Sequence, residues 1–226
     1  MMFKLLNISK IIEYLFLLNL KTIYYNLKWF GFKKGIKLPI LINSNCIIEG
    51  NGKIIIDAPI KPLMIKLGYG DVGIFYKNNK FILRNYGVLK FEGTANIGHG
   101  SKISIDKKGK LLLGNDFMIT AESSVVCHNE ITFKSNCLIS WEVLIMDHDL
   151  HNIFDNNKTL INKPLPINIG KKTWIGARTT ILKGVNLPDN VIIASNTLLT
   201  KSFKKMNVII GDSPNRILKE DISWER

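Results

Sequence analysis

The chain has 226 residues, 46% of them hydrophobic and 22% charged, with a formal net charge of +13. That length suits one large domain or a small pair, and the composition excludes a wholly disordered chain. The charge invites a nucleic-acid partner, but only four of the 31 basic residues are arginine, the side chain that grips guanine and phosphate with two bonds at once, so none is expected.

The N-terminal segment 1–40 carries Lys4, Lys10, Lys21, Lys28, Lys33, Lys34 and Lys37 against one acid, Glu13. Phe3, Leu5, Leu6, Ile11, Ile12, Tyr14, Leu15, Phe16, Leu17 and Leu18 lie between the first of them. No proline or glycine interrupts the segment before Gly31. The pattern predicts a basic amphipathic helical segment over 1–40. Such a segment suits a membrane interface equally with packing on its own domain or on a partner subunit. No apolar run reaches the roughly 18 residues of a membrane span. The best candidate, Ile11 to Leu20, contains Glu13 and Asn19 and precedes no small-residue cleavage site, so no signal peptide is expected.

From about Leu41 the pattern turns β-like. Short apolar runs such as Ile54-Ile55-Ile56 and Phe81-Ile82-Leu83 are punctuated by Gly50, Gly52, Gly68, Gly70 and Asn78-Asn79. The cysteines, Cys46, Cys127 and Cys137, form neither a CxxC pair nor a histidine cluster, which suits a reducing, cytoplasmic compartment rather than a disulfide scaffold or zinc finger.

The decisive signal is a repeat. An aliphatic residue recurs every six positions through Ile169, Ile175, Ile181, Leu187, Ile193 and Leu199. Thr173, Thr179, Val185, Val191 and Thr197 follow the first five at a fixed offset of four. The same phase holds upstream in shorter pieces: Phe91, Ile97, Ile103; then Leu113, Ile119, Val125, Ile131; then Phe133, Ile139, Ile145. A period of six fits neither a helix nor a plain strand. It predicts short strands joined by tight turns, three faces closing a coil of about 18 residues whose aliphatics stack on the coil below.

Several segments carry a family resemblance. Ile169-Gly170-Lys171-Lys172-Thr173-Trp174-Ile175-Gly176-Ala177, Ile181-Leu182-Lys183-Gly184-Val185, the stretch 194–201 and Gly211-Asp212-Ser213-Pro214-Asn215-Arg216 resemble, in order, the signatures of the hexapeptide-repeat acyltransferases. Asp147-His148-Asp149-Leu150-His151 resembles the D-x-D-x-H of surface-polysaccharide and galactoside-type O-acetyltransferases in that family. The resemblance implies a mainly β chain built as a left-handed parallel β-helix over 41–203, with a loop at 146–168 and a coenzyme-end tail over 204–226. It further implies a homotrimer with sites between subunits, acetyl-CoA as co-substrate, a histidine base and no metal. This chain departs from the signatures at Ser195 and Asn196, where glycine and serine are usual, at Asn215 in place of alanine, and near Glu122, where galactoside-type members carry an acceptor-binding asparagine.

The phase breaks between Ile145 and Ile169, an excursion that resumes in register and carries His148 and His151. Transfer of an acyl group to a hydroxyl needs a base with a pKa near working pH, which histidine supplies. The motif favours His151 over His148 as that base, with Asp147 or Asp149 orienting the ring. By resemblance, Trp174 walls the pantetheine arm, Ala177 and Ser195 let backbone amides approach it, and Thr200, Lys201, Arg216 and Lys219 meet the coenzyme's far end. The expected reaction is acetyl transfer to a sugar hydroxyl, in a surface or secreted polysaccharide, by an enzyme in the cytoplasm or at the inner face of the membrane. A soluble sugar, sugar nucleotide or amino acid as acceptor and a non-catalytic scaffold or glycan-binding coil are the other readings; a zinc-dependent hydratase is disfavoured, since His148 and His151 are only three apart on the loop while His99 and His128 lie elsewhere.

Overall fold

The computed structural model describes residues 19–70 and 72–226. The part of the amphipathic segment before Asn19 lies outside the described residues. Helix α1, Leu20–Gly35, begins at Asn19, whose side chain accepts the Thr22 amide. A left-handed Gly31 kinks it near its end.

The buried side of α1 is polar. The Asn26 side chain donates to the Ile40 carbonyl (2.7 Å) and accepts from the Ile40 amide (3.0 Å). Thr22 treats Ile42 in the same way, and the Lys21 ammonium reaches the carbonyls of Ser44 and Cys46. These groups satisfy the free edge of the first strand, which would otherwise expose a row of unpaired donors and acceptors. Residues 20–35 therefore cap the domain. No helix among the described residues is long and apolar enough to cross a membrane.

Beyond α1 the chain winds as a triangular parallel coil, each turn giving one strand to each of three sheets. The first sheet stacks β1 (Ile40–Ile42), β4 (Ile65–Leu67), β7 (Ala95–Ile97), β10 (Phe117–Ile119), β13 (Leu138–Ile139), β16 (Trp174–Ile175), β19 (Val191–Ile193) and β21 (Val208–Gly211). The second stacks β2 (Ile47–Glu49), β5 (Ile82–Asn85), β8 (Lys102–Ile105), β11 (Ser124–Cys127), β14 (Leu144–Met146), β17 (Thr180–Leu182) and β20 (Leu198–Leu199). The third stacks β3 (Lys53–Ile56), β6 (Val88–Phe91), β9 (Lys110–Leu113), β12 (Glu130–Phe133), β15 (Ile167–Ile169) and β18 (Asn186–Leu187). A final strand, β22 (Arg216–Lys219), turns back antiparallel against β21.

The hexad residues fill the interior as the period requires. Ile175 pairs with Ile139 below and Ile193 above, Ile181 with Ile145 and Leu199, and Ile169 with Phe133 and Leu187. All six hexad aliphatics from Ile169 to Leu199 are at most 5% exposed. Burial of each such side chain contributes roughly 1.5–3 kcal/mol. The strict three-hexad turn holds only near the C-terminal end. It would set Ile97 against Asn115 and Ile119 against Cys137, whereas Ile97 meets Ile119 and Ile119 meets Ile139. The additional residues sit in corners such as 106–109, so strand phase survives while the sequence repeat breaks into pieces.

Candidate active site

The corner between the second and third sheets gathers the polar groups that chemistry needs. Asp147 follows β14 and is fully buried. Its Oδ1 accepts the His128 amide (2.7 Å) and lies 3.2 Å from His148 Nδ1; its Oδ2 accepts the Asn129 amide (2.8 Å). A carboxylate fixed by two backbone donors cannot swing away, so it locks the ring of His148, itself 7% exposed. Cys127 also faces Asp147, and burial first, then that carboxylate, pushes its thiol far above the ordinary cysteine range. It is a neutral donor here, not a nucleophile.

His148 does not stand alone. Its ring stacks on His128 with centroids 4.7 Å apart and planes 25° from parallel. His128 Nδ1 in turn lies 2.8 Å from Asp106 Oδ2. The Lys107 amide first, with His128 beside it, holds the Asp106 carboxyl below the usual range. Asp106, His128 and His148 occupy the same corner on successive coils. Their spacings match the local turns of the coil, in which Ile103 lies beside Val125 and Val125 beside Ile145. A strict three-hexad period hides that register, which is why the sequence placed His128 apart from His148. His99 is buried in a different corner, after β7.

The excursion after Met146 is pinned at its base. Asp149 pairs with Lys183 and accepts from Asn162 (2.9 Å), and these two bonds, Lys183 first, hold its carboxyl below the usual range. Asn162 also donates to the His151 carbonyl and accepts the Ile153 amide. Asp149 thus clasps the loop to the coil, while Asp147 orients a histidine. His151 lies exposed on the loop, and its ring makes no hydrogen bond among the described residues.

A cavity of about 360 Å³ opens beside His148, lined also by Arg84, Tyr86, Asp106, Lys107 and Leu150. Of the residues expected at the coenzyme, Trp174 points outward from β16, donates to Ser140 Oγ (3.0 Å) and packs near Trp224 (5.9 Å). Ala177 and Ser195 share the corner between the first and second sheets on successive coils. A Cβ on Gly176 would come within 2.7 Å of the Ser195 amide, so backbone approaches backbone closely there. Arg216 and Lys219 lie on β22, with Arg216 paired to Asp212 (2.6 Å). Thr200 and Lys201 lie on the histidine side of the coil, where Lys201 stands over the Phe203 ring. Within one copy, therefore, His148 and Trp174 occupy different faces and cannot meet.

No family model matches the chain. WbbJ of Escherichia coli (strain K12), assigned as a lipopolysaccharide biosynthesis O-acetyl transferase, is 23% identical over 172 residues, covering 68% of this chain and 87% of its own. The polysialic acid O-acetyltransferase of Escherichia coli O1:K1 is 31% identical over 136 residues, covering 58% of this chain and 44% of its own. Among solved structures, the polySia-specific acetyltransferase NeuO superposes with a TM-score of 0.54 at 23% identity, over 81% of this chain and 90% of that one, a likeness of fold. The hexad coil, the ordered signatures and these relatives agree: the chain is an acyltransferase built on a left-handed parallel β-helix, and it resembles the hexapeptide-repeat acyltransferases.

Proposed function

We propose that the chain is an O-acetyltransferase that moves the acetyl group of acetyl-CoA to a sugar hydroxyl in a surface or secreted polysaccharide. The buried Asp147–His148 pair beside an open cavity carries this reading, and the polysaccharide and polysialic acid enzymes among the relatives support it. Acetyl-CoA supplies the acyl group as a thioester. With Asp147 accepting from Nδ1–H, the Nε2 lone pair of His148 takes the acceptor's proton as its oxygen attacks the thioester carbonyl. The same nitrogen then returns the proton to the departing sulfur. The motif alone favoured His151; the geometry supports His148, because of these two rings it is the one that a carboxylate orients and that lines the cavity.

The active unit we propose is a homotrimer. Trp174, Ala177, Ser195, Arg216 and Lys219 belong to one side of the coil, and His148, Thr200 and Lys201 to another, so a cleft between two copies unites them. The exposed apolar side chains of the excursion, Leu150, Ile153, Phe154 and Ile161, would then be covered. We also propose that the outward side of α1, with Tyr24, Phe32, Lys28, Lys33 and Lys34, rests on an anionic membrane where a lipid-linked glycan is presented.

The test is acetyl-CoA consumption against oligosaccharide, sugar-nucleotide and amino-acid acceptors. His148→Ala should lower turnover by roughly 10²–10⁴ with acetyl-CoA binding retained, and His151→Ala much less. The opposite order would overturn the choice of base. Consumption with no acceptor in the panel would overturn the activity, and preference for an amino acid would overturn the glycan.

A further inference from the structure

The cavity beside His148 is not evenly lined. The outward residues of the second sheet stack in register as Leu182, Met146, Val126, Ser104 and Arg84, running from β17 down to β5. The column is apolar on the rung of the histidine, reaches a guanidinium at Arg84, and continues one rung farther to Glu49 on β2. Strands in a sheet lie about 4.8 Å apart, so the three steps from β14 to β5 span roughly 14 Å along the coil. That distance accommodates a short run of sugar rings laid along the face.

Arg84 is one of only four arginines in the chain. Its guanidinium carbon sits 5.5 Å from the centre of the Tyr86 ring, a stacking contact that restrains the fork. Its Nε is 3.7 Å from Glu49 Oε2, an exposed ion pair longer than a hydrogen bond, so a ligand anion competes with a solvated carboxylate for the fork. Glu49 also lies one rung farther from His148, on β2. Lys107, exposed on the next corner, adds a second cation at the cavity wall. The one carboxylate in that wall, Asp106, accepts from the Lys107 amide (2.9 Å) and faces His128 (2.8 Å), and among the described residues it forms no ion pair with Arg84 or Lys107. Tyr86 completes the wall with a partly exposed ring, apolar on its face and polar at its tip.

We infer that this cavity is an anion subsite for the acceptor: Arg84 and Lys107 select a glycan carrying a carboxylate or phosphate and hold it with a neighbouring hydroxyl at His148. The inference rests on the acetyltransferase reading above and narrows its substrate to acidic sugars. A guanidinium fork matches both anions with paired N–H donors, whereas a neutral sugar leaves it unmatched.

Two measurements on the full chain separate the inference from that reading. The first is direct binding, by calorimetry without acetyl-CoA, of a uronic-acid oligosaccharide, its carboxyl-reduced neutral counterpart and a sugar phosphate. At least one acidic ligand should bind about tenfold or more tightly than the neutral one. That advantage should disappear in Arg84→Ala, shrink in Lys107→Ala, be partly kept in Arg84→Lys, and weaken with salt. Which acidic ligand binds identifies the source of the anion. The second is the ratio of kcat/KM for acidic over neutral acceptor, which should collapse in Arg84→Ala through KM rather than kcat. Equal binding of acidic and neutral ligands, or an acidic preference untouched by both substitutions, would overturn the subsite, even in an enzyme that turns over acetyl-CoA. Arg84-dependent anion binding in a chain that never consumes acetyl-CoA would uphold the subsite and sink the acetyltransferase reading instead.

Discussion

Single residues at the corners of the coil explain where this chain departs from the signatures it resembles. Gly100, Glu122, Glu142, Arg178 and Asn196 fill equivalent left-handed positions between the first and second sheets, with φ of 50–68°. The corner geometry thus recurs whichever side chain occupies it. Asn196 suits the position because a short amide tolerates left-handed backbone better than most side chains. Ser195, standing where the family places glycine, needs no positive φ. Alanine at 196 lacks the local bonding that eases this conformation, so Asn196→Ala should cost about 1 kcal/mol, and Asn196→Gly close to nothing. Denaturant unfolding should rank glycine and asparagine together above alanine; an alanine variant as stable as the parent would show that the corner relaxes. Such corners were not legible in the sequence, because glycine, glutamate, arginine and asparagine share one conformation there.

Among the secondary-structure elements, α1 shows why amphipathic patterning misleads beside a sheet edge. Its deepest side chains are Thr22 and Asn26, because β1 offers unpaired amides and carbonyls that need polar partners. Tyr25, Trp29 and Phe30 pack against the core from its flank. Asn26→Ala should leave the amide and carbonyl of Ile40 buried without partners, a loss of about 2–4 kcal/mol. The variant's melting temperature should fall while its adsorption to anionic vesicles persists. Lys33→Glu with Lys34→Glu should do the converse, weakening vesicle binding with little change in melting. Unchanged pelleting in that double variant would remove the membrane role and leave the cap. The strands, by contrast, were legible. A phase of six specifies which side chain points inward, and from Phe91 to Leu199 each apolar residue of the series is buried. The candidate site was half legible: the motif located the excursion and its Asp147-His148 pair, but the contact that distinguishes His148 from His151 depends on which ring a buried carboxylate touches.

For the assembled protein, the proposed function makes association a condition of chemistry, because Trp174 and His148 lie on different faces of one copy. Sedimentation at micromolar concentration should give a species about three times 25.7 kDa. A 25.7 kDa monomer, active on a sugar acceptor, would show that one copy suffices. A parallel coil also poses a problem of length. Its last rung presents much the same edges as its first, so nothing in the repeat itself forbids one molecule from continuing another. Both ends here are altered. The Thr22 and Asn26 side chains occupy the bonds of β1 that a foreign strand would take, and β22 reverses direction against β21, with Trp224 donating back to the Lys172 carbonyl. The Phe203 amide closes over the Asn186 carbonyl of β18. These termini act as chain stoppers in the polymer sense: they make a protein that could have been a fibre monomer into a particle of finite length.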